Sequence, residues 1–349
     1  MQKRIDVGIL GATGTVGQEF IAQLANHPWF HLTWIAASHR SEGRTYGDAT
    51  PWRLTGLRPA NVAEMVVEAA TPERAPRLVF SGLDASVAGE IETAFASAGH
   101  IVVSNARNHR MDPVVPLLVP EINADHLQLL AAQAAARGWS GRIVTNPNCS
   151  TVVLTMALAP LRRFGLKAVV VTTLQAVSGA GYPGVPSLDI VGNVIPFIGG
   201  EEEKIETESQ KILGCFKNGA VEPHPVTVSA HTTRVPVIHG HTEMISVSFE
   251  HAAERGEILE AFRTFAGRPQ EARLPSAPRE PLVYLEAANR PQPRLDVDRD
   301  GGMTVSLGRL RRCNVLDYKF VAMGHNAIRG AAGAAVLNAE LMVAEGLID

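Results

Sequence analysis

The chain has 349 residues, of which 46% are hydrophobic and 19% are charged, and its formal net charge is -3. This length exceeds what one compact core usually holds, so two domains are expected. The composition argues against a nucleic-acid-binding or disordered protein, and no apolar run approaches the roughly 18 residues of a membrane span.

The first half of the chain alternates short apolar runs with helical patterns. Strands are predicted at 7–10, 32–37, 78–81 and 101–104, with helices at 18–26 and 87–98 between them. This alternation predicts a Rossmann-type α/β domain, in which helices wrap a parallel sheet. Residues 48–76 break the pattern and are expected to form an irregular insertion with a short strand at 65–68.

The second half of the chain is dominated by strands. A helix is predicted at 151–164, a Gly/Pro-rich tract at 178–186, a helix at 252–265 and a surface loop region at 268–293; strands are predicted at 168–176, 227–232, 243–249 and 303–311. Runs of strands with few helices indicate an α+β domain for catalysis and oligomerisation.

The last helical pattern, at 326–345, is rich in alanine and predicts a long amphipathic helix that returns to cover the first domain. We therefore expect a dinucleotide-binding domain at 1–148, completed by the segment 326–349, and a catalytic domain at 149–325. The N-terminus lacks the cleavage site and longer apolar region of a signal peptide. Three cysteines form no disulfide framework, which favours the cytoplasm.

A glycine-rich loop follows the first predicted strand and precedes the first helix. Its sequence is Gly11-Ala12-Thr13-Gly14-Thr15-Val16-Gly17. Glycines let the backbone turn tightly and approach a pyrophosphate, and the helix N-terminus offers unpaired N–H groups. The loop predicts a dinucleotide site, although glycines at such a turn also occur for packing alone.

The end of the second predicted strand indicates which dinucleotide binds. An NAD site usually has an acidic residue there, whereas this chain has Ser38, Arg40 and Ser41. Hydroxyl and guanidinium groups suit a 2′-phosphate, so NADP is expected; an ordinary surface turn is the alternative. Ser81 and Gly82, where the third strand ends, are predicted to join the cofactor site.

Cys149 lies in the run Thr145-Asn146-Pro147-Asn148-Cys149-Ser150-Thr151, just before a predicted helix. The helix dipole is expected to lower the pKa of the thiol and to favour the thiolate. A thiolate can add to an aldehyde, hold the adduct while hydride leaves, and release the acyl group from a thioester. Cys215 and Cys313 are expected to be buried and inert.

At this point the chain resembles the aspartate-semialdehyde dehydrogenases, in particular their archaeal and fungal branch. The resemblance spans nearly the full length and rests on the glycine loop, the cysteine segment and five further runs. These are Ser104-Asn105-Ala106-Arg107-Asn108-His109-Arg110-Met111-Asp112, Leu174-Gln175-Ala176-Val177-Ser178-Gly179-Ala180-Gly181 with Glu201-Glu202-Glu203-Lys204-Ile205-Glu206, Arg234-Val235-Pro236-Val237-Ile238-His239-Gly240-His241-Thr242-Glu243, and Asn326-Ala327-Ile328-Arg329-Gly330-Ala331-Ala332-Gly333.

The resemblance implies a reversible, phosphorylating oxidation of aspartate semialdehyde to aspartyl phosphate with NADP, which serves amino-acid biosynthesis. It implies that His241 is the general acid and base, with His239 as an open alternative. By the same resemblance Arg234, seven residues earlier, clamps the substrate carboxylate, and Gln175 positions the substrate or the acyl intermediate. Ser178, Gly179 and Asn326 are implied to contact the cofactor.

The resemblance also implies a substrate-ammonium and phosphate site. Glu201 would bind the ammonium group, and Lys204, three residues later on the same helical face, would bind phosphate. Arg110 would be the second phosphate cation, with Asn108 adding a hydrogen bond and Arg107 as the alternative. A solvated charge pair remains the ordinary interpretation of Glu201 and Lys204.

Three other functions remain open alternatives. Malonyl-CoA reductases form the same enzyme thioester from an acyl-CoA, but a malonyl group needs no carboxylate such as Glu201. The acetylglutamyl phosphate reductases usually have glycine where this chain has Asn148. A catalytically silent NADP-binding paralogue would have lost the cysteine or the histidine. The run 230–233, just before Arg234, is less typical of the family, which weakens the substrate assignment.

The expected partners are the small-molecule substrate and inorganic phosphate, with no nucleic acid, membrane or metal. A homodimer or homotetramer is expected from the resemblance, because the family commonly assembles through its second domain.

Overall fold

A computed structural model describes residues 4–348 of the chain. The N-terminal part folds around a five-stranded sheet in the spatial order β2-β1-β3-β4-β5, and every neighbouring pair is parallel. Its strands are β1 (Ile5–Leu10), β2 (Phe30–Ala36), β3 (Leu78–Ser81), β4 (Ile101–Ser104) and β5 (Arg142–Thr145). β3 and β4 are buried throughout, which is why they are continuous apolar runs in the sequence. The Rossmann-type fold class is confirmed.

Helices cover both faces of this sheet. They are α1 (Thr15–Leu24), α2 (Tyr46–Ala49), α3 (Ala60–Ala63), α4 (Ala85–Ser97), α5 (Pro120–Asn123) and α6 (Leu129–Arg137). The predicted strand at 65–68 is wrong: Val66 and Glu68 form only isolated bridges, to Thr45 and Ala36. The insertion also contains two short helical turns, α3 and a 3-10 helix at Pro72–Arg74, and is otherwise irregular.

A second, six-stranded mixed sheet has the order β11-β12-β13-β10-β6-β9, and a two-stranded hairpin lies apart from it. Its strands are β6 (Leu166–Gln175), β9 (Thr227–Arg234), β10 (His241–Phe249), β11 (Leu282–Leu285), β12 (Val305–Arg312) and β13 (Tyr318–Gly324); the hairpin is β7 (Cys215–Lys217) and β8 (Ala220–Glu222). This sheet matches the expected α+β class. The expectation that Cys215 and Cys313 are buried is wrong, because Cys215 is exposed in the hairpin and Cys313 is partly exposed. The region 268–293 is not only surface loop, because it includes β11, which pairs in parallel with β12.

One face of the second sheet packs against helices in a large apolar core. The helices that follow α6 in the chain are α7 (Cys149–Leu158), α8 (Ser187–Ile190), α9 (Glu201–Ile212), α10 (Arg255–Arg263), α11 (Arg268–Glu271), α12 (Pro293–Asp296) and α13 (Gly333–Ala344). The predicted helix at 151–164 begins two residues earlier, at Cys149. It becomes a 3-10 helix at Ala159–Phe164, where Pro160 cannot continue the α-helical hydrogen bonding.

The C-terminal helix α13 is not amphipathic, contrary to expectation. Every residue from Gly333 to Met342 is buried, because the helix packs on α1 and contributes to the apolar core of the first sheet. A helix that is apolar on all sides is typical of a protein interior. Within residues 4–348, no helix combines the length and apolar character that crossing a membrane would require.

Candidate active site and cofactor pocket

The glycine loop turns sharply between β1 and α1. Gly11 has a φ of +78°, which a residue with a side chain rarely adopts, and a Cβ on Gly17 would lie 2.2 Å from the Gly11 oxygen. Gly14 precedes α1 without a side-chain cap, so the first N–H groups of the helix are available to a ligand. Together these features suit a bound diphosphate.

A cavity of about 840 Å³ opens above this loop. It is lined by Thr13, Gly14, Thr15, Val16, Ser38, Arg40, Ser41, Arg44, Ala49, Thr50, Arg53, Gly82, Leu83, Asp84, Gly181, Tyr182 and Pro183. Arg40, Arg44 and Arg53 are all exposed, and the Arg53 guanidinium lies 3.8 Å from the centre of the Tyr182 ring. Three arginines beside a helix N-terminus fit a dinucleotide with an extra phosphate.

The predicted cofactor residues fall into three groups. The cavity lining includes Gly82 and, from the glycine loop and the segment after β2, Thr13, Gly14, Thr15, Val16, Ser38, Arg40 and Ser41. Gly11 and Gly17 shape the turn but are not part of the lining. Ser81 is completely buried and also lies outside the lining.

Ser178, Gly179 and Asn326 lie beside the candidate catalytic residues. The Asn326 amide donates a 2.8 Å hydrogen bond to the Ser178 hydroxyl, and its oxygen accepts one of 2.9 Å from the Gly240 N–H. Through Asn326, Ser178 is therefore connected to the loop that precedes His241.

Three pocket residues were not predicted from the sequence, namely Arg44, Arg53 and Tyr182. Arg53 belongs to the insertion, and Tyr182 belongs to the Gly/Pro-rich tract of the other half of the chain. The only signal was a series of arginines after β2, and no pattern in the sequence links them to Tyr182.

Cys149 is the first residue of α7 and contacts His241. The distance from its Sγ to His241 Nε2 is 3.2 Å, although 92 residues separate them in the chain. Asn148 caps the helix, because its side-chain oxygen accepts from the N–H groups of Ser150 and Thr151. The cap fixes the start of the helix, and with it the position of the sulfur.

The His241 ring is oriented by the backbone. The Ala176 N–H donates a 3.1 Å hydrogen bond to His241 Nδ1. An acceptor nitrogen in a neutral imidazole carries no proton, so the ring proton is on Nε2 and faces the sulfur. His239 instead stacks on His325 with 5.0 Å between ring centres, so His241 is the histidine placed to act on Cys149.

The electrostatics of this pair correct one expectation. Burial raises the pKa of the Cys149 thiol to about 12, Glu201 raises it further, and Arg110 and Arg234 only partly oppose this. Burial, together with Arg234 and His325, lowers the pKa of His241 to about 3. The isolated chain therefore holds a neutral thiol beside a neutral imidazole, not the thiolate that the helix dipole alone suggested.

Glu201 begins α9 and is buried below the sulfur. Its two oxygens accept from Lys204 Nζ at 2.7 Å, from the Asn148 amide at 2.8 Å and from the Gln175 amide at 3.4 Å. Burial acts to raise the pKa of Glu201, but the hydrogen bond and charge of Lys204, with the two amides, hold it below its ordinary value. The Glu201 carboxylate is therefore charged, and it lies close enough to Cys149 to affect the pKa of the thiol.

Arg234 ends β9 on the other side of the centre. Its guanidinium donates a 2.8 Å hydrogen bond to the Ala176 oxygen and is almost completely buried. A Cβ on Gly179 would lie 3.0 Å from Arg234 Nη1 and 3.1 Å from His241 Cε1. The absence of a side chain at Gly179 thus brings the arginine and the imidazole to one pocket.

Arg110 is held by a residue that sequence analysis missed. Glu208 lies seven residues, or about two turns, after Glu201 on α9. It accepts from Arg110 Nη1 at 3.0 Å and from the Asn148 N–H at 2.7 Å. Lys211 continues the same face and donates to the oxygens of Arg110, Asp112 and Val115. The spacing of these charges on α9 is the signal that could have revealed them.

The expected role of Asn108 does not match its position. The side chain is exposed and donates to the Ala85 oxygen at the start of α4. Arg107 is also exposed, and its charge acts on Asp84. The turn at 105–110 is directed so that only Arg110 enters the centre, where Glu208 binds it.

Comparisons with known proteins agree with this geometry. Two protein-family models match the chain. The semialdehyde dehydrogenase NAD-binding domain family matches residues 6–130, and the semialdehyde dehydrogenase dimerisation domain family matches residues 158–329. The aspartate-semialdehyde dehydrogenase of Archaeoglobus fulgidus is 47% identical over 99% of this chain and 100% of its own length. That of Cryptococcus neoformans is 49% identical, with 99% of both chains covered.

The fold is similar to a solved structure as well. The aspartate-semialdehyde dehydrogenase of Candida albicans, determined with NADP, superimposes with a TM-score of 0.92 and 42% identity, covering 99% of this chain and 100% of the other.

Proposed function

The chain belongs to the aspartate-semialdehyde dehydrogenase family, and we propose that it catalyses the reversible, NADP-dependent phosphorylating oxidation of aspartate 4-semialdehyde to 4-aspartyl phosphate. The observation that carries the proposal is the 3.2 Å contact between Cys149 Sγ and His241 Nε2, beside Glu201, Lys204 and two buried arginines. In cells the reaction would run in the reducing direction, towards lysine, threonine and methionine.

The substrate is oriented by opposite charges across the centre. Arg234 offers a planar guanidinium for the carboxylate, and Glu201 offers its carboxylate for the ammonium group. Because Glu201 is bound to Lys204, a substrate ammonium competes with Lys204 for it. The displaced lysine would then be available, with Arg110, for phosphate. Malonyl-CoA has no ammonium group, so the acyl-CoA alternative is not favoured.

Cys149 is the nucleophile. Its sulfur bonds to the aldehyde carbon while the thiol proton passes to His241 Nε2 and the proton already on Nε2 passes to the aldehyde oxygen, giving a thiohemiacetal whose hydroxyl lies near His241 Nε2. The imidazole, with its proton on Nε2, stabilises the oxygen and exchanges that proton as the charge changes. NADP would supply the hydride acceptor for this carbon when bound, and the hydroxyl proton would be released to solvent through His241. The carbon becomes a thioester carbonyl, a phosphate oxygen attacks it, and the Cys149 sulfur leaves as aspartyl phosphate forms.

We also propose a homodimer in the cytoplasm. The region that matches the dimerisation-domain model includes the outer face of the second sheet, where Val170 and Met244 are 45% and 44% exposed. The segment 187–198 carries Leu188, Val191 and Phe197, each of which is more than two-thirds exposed. Apolar surface of this extent is typical of an interface. Met244→Glu should lower the mass measured by light scattering to that of one chain.

The test of the function is the variant Cys149→Ala. It should abolish phosphate-dependent NADPH formation from aspartate semialdehyde and leave NADP binding intact, because the substitution lies outside the cavity lining. Parallel assays would follow malonyl-CoA-dependent NADPH oxidation. Substantial turnover by the alanine variant, or faster turnover of malonyl-CoA than of aspartate semialdehyde by the wild type, would contradict the proposal.

A further inference from the structure

A single turn of π-helix lies directly behind the nucleophile. It spans Ile328–Ala332 and leads into α13, with i→i+5 hydrogen bonds from the Gly330 N–H to the His325 oxygen and from the Ala332 N–H to the Ala327 oxygen. An extra residue in a helical turn shifts the backbone sideways, and such turns are frequent at functional sites.

Gly330 lies at the point of this turn that is closest to Cys149. A Cβ built on Gly330 would lie 2.7 Å from the Cys149 Cβ and 3.1 Å from its Cα. Gly330 lies within the helical turn and does not have the positive φ that disfavours a side chain, so an alanine there would not be strained by conformation. Its absence of a side chain is therefore required by the contact with the cysteine alone.

Two side chains fasten the π-turn to the protein that surrounds the cysteine. Arg329, with no exposed surface, makes a bidentate ion pair with Glu121, and both N–O distances are 2.7 Å. Asn146, three residues before Cys149, donates a 2.9 Å hydrogen bond to the Ala331 oxygen. The turn is thus fixed on both sides of Gly330.

The buried ion pair of Arg329 with Glu121 is not explained by stability alone. Two charges buried away from water cost free energy that their attraction only partly recovers, and apolar residues of similar size often stabilise a protein as well or better. Arg329 also contacts the Met156 sulfur of α7 at 3.1 Å, so the guanidinium connects α5, α7 and the π-turn. A rigid bidentate fork holds three elements at fixed distances where apolar packing would not.

We propose that Arg329 and Gly330 are positioning residues, which hold the Cys149 Cβ against the π-turn so that its sulfur remains in reach of His241. The proposal rests on the proposed role of Cys149 as nucleophile. Arg329 acts through Gly330 and does not itself touch the substrate. The position of the sulfur is then determined from two sides, by the Asn148 cap in front and by the π-turn behind.

The first test is Gly330→Ala, with Gly333→Ala as its matched control. A Cβ on Gly333 meets equally close contacts, 2.7 Å from Ile328 Cγ2 and from Met303 Sδ, and its nearest neighbours belong to these two residues and not to Cys149. Both variants should lose thermal stability. Only Gly330→Ala should lower kcat, by about 100-fold for a displacement near 1 Å, with unchanged NADP affinity.

The same pair is then compared by the pH profile of iodoacetamide labelling at Cys149, read on the isolated peptide by mass spectrometry in the absence of cofactor. The profile should move for Gly330→Ala and coincide with the wild type for Gly333→Ala. Coincident profiles for all three proteins, or equal losses of kcat in the two variants, would overturn the proposal.

A second variant keeps the test decisive if Gly330→Ala does not fold. The double variant Glu121→Leu/Arg329→Met replaces the ion pair by apolar groups and leaves no uncompensated buried charge. It should fold, keep the KM for aspartate semialdehyde, and lose about 10-fold in kcat with a shifted labelling profile. Wild-type kcat and labelling in the folded double variant would refute the positioning role. Cys149→Ala separates the two failures, since activity in that variant refutes the nucleophile itself.

Discussion

The cofactor pocket and the reaction centre use the same kinds of charged side chain in opposite ways. In the pocket, Arg40 and Arg53 are exposed to solvent and available to a ligand. In the reaction centre, Arg110 and Lys204 are already bound to the carboxylates of Glu208 and Glu201.

The difference follows from burial. A solvated arginine is inexpensive to keep unpaired and can attract an anionic cofactor from a distance. A buried cation must be paired with a carboxylate, so the ion pairs of the reaction centre form before substrate arrives. Substrate and phosphate must then replace these carboxylate and cation partners when they bind. Substitutions should therefore affect stability and turnover in the centre, and affinity in the pocket.

The largest expected effect tests whether the centre depends on His241. His241→Gln should lower kcat by about 1,000-fold, because the amide cannot exchange a proton with the substrate oxygen. NADP affinity should be unchanged, as measured by quenching of protein fluorescence. His239→Gln is the control, and a comparable loss of kcat in that variant would move the acid–base role to His239.

The next effect concerns the buried pair of the centre. Glu208→Gln should lower the free energy of unfolding by about 3 kcal/mol, because Arg110 loses its buried counter-charge. Chemical denaturation measures this, and kcat should fall in parallel. Glu203→Gln, on the exposed face of the same helix, should change neither quantity. Wild-type stability of Glu208→Gln would show that the centre is not held by its ion pairs.

The pocket should respond in affinity alone. Arg40→Ala should raise the Kd for NADP about 10-fold and leave the Kd for NAD unchanged, because only NADP carries the 2′-phosphate. The effect should shrink as salt is added, since the arginine is exposed. Titration calorimetry with both dinucleotides measures it. Equal losses for NADP and NAD would place Arg40 away from that phosphate.

A last effect distinguishes the two regions by pH. Burial lowers the pKa of His325 to about 4, with His239 lowering it further and Asp298 opposing this. The unfolded chain binds protons below about pH 6.5 that the buried ring does not, so stability is present above that pH and is lost as the pH falls. At pH 5 the loss should be about 2 kcal/mol for this ring.

His325→Asn is the matched variant, since an asparagine can still accept from the N–H groups of Ala327 and Ile328 that the imidazole Nδ1 now binds. Its free energy of unfolding, measured from pH 7 to pH 5, should fall less steeply than that of the wild type. Arg40→Ala, a substitution in the cofactor pocket, should leave the slope unchanged. Identical slopes in wild type and His325→Asn would disprove the assignment.

Much of the fold could be predicted from local pattern. β3 and β4 have the bounds that their apolar runs predict, because a strand buried on both faces must be apolar throughout. β5 was missed because its four residues directly precede the cysteine motif. The character of α13 was wrong, since alanine is compatible with both a surface and a buried face.

The candidate site divides in the same way. The chemical groups could be identified from the chain alone, namely the glycine loop, Cys149, His241 and the charged start of α9, because each belongs to a continuous motif. Their protonation states and partners became evident only in the folded protein. The neutral thiol and imidazole, the pairing of Arg110 with Glu208, and the contact of Gly330 with Cys149 depend on burial and on contacts between residues far apart in the chain. Desolvation and packing are properties of the assembled interior, and no local pattern of residues contains them.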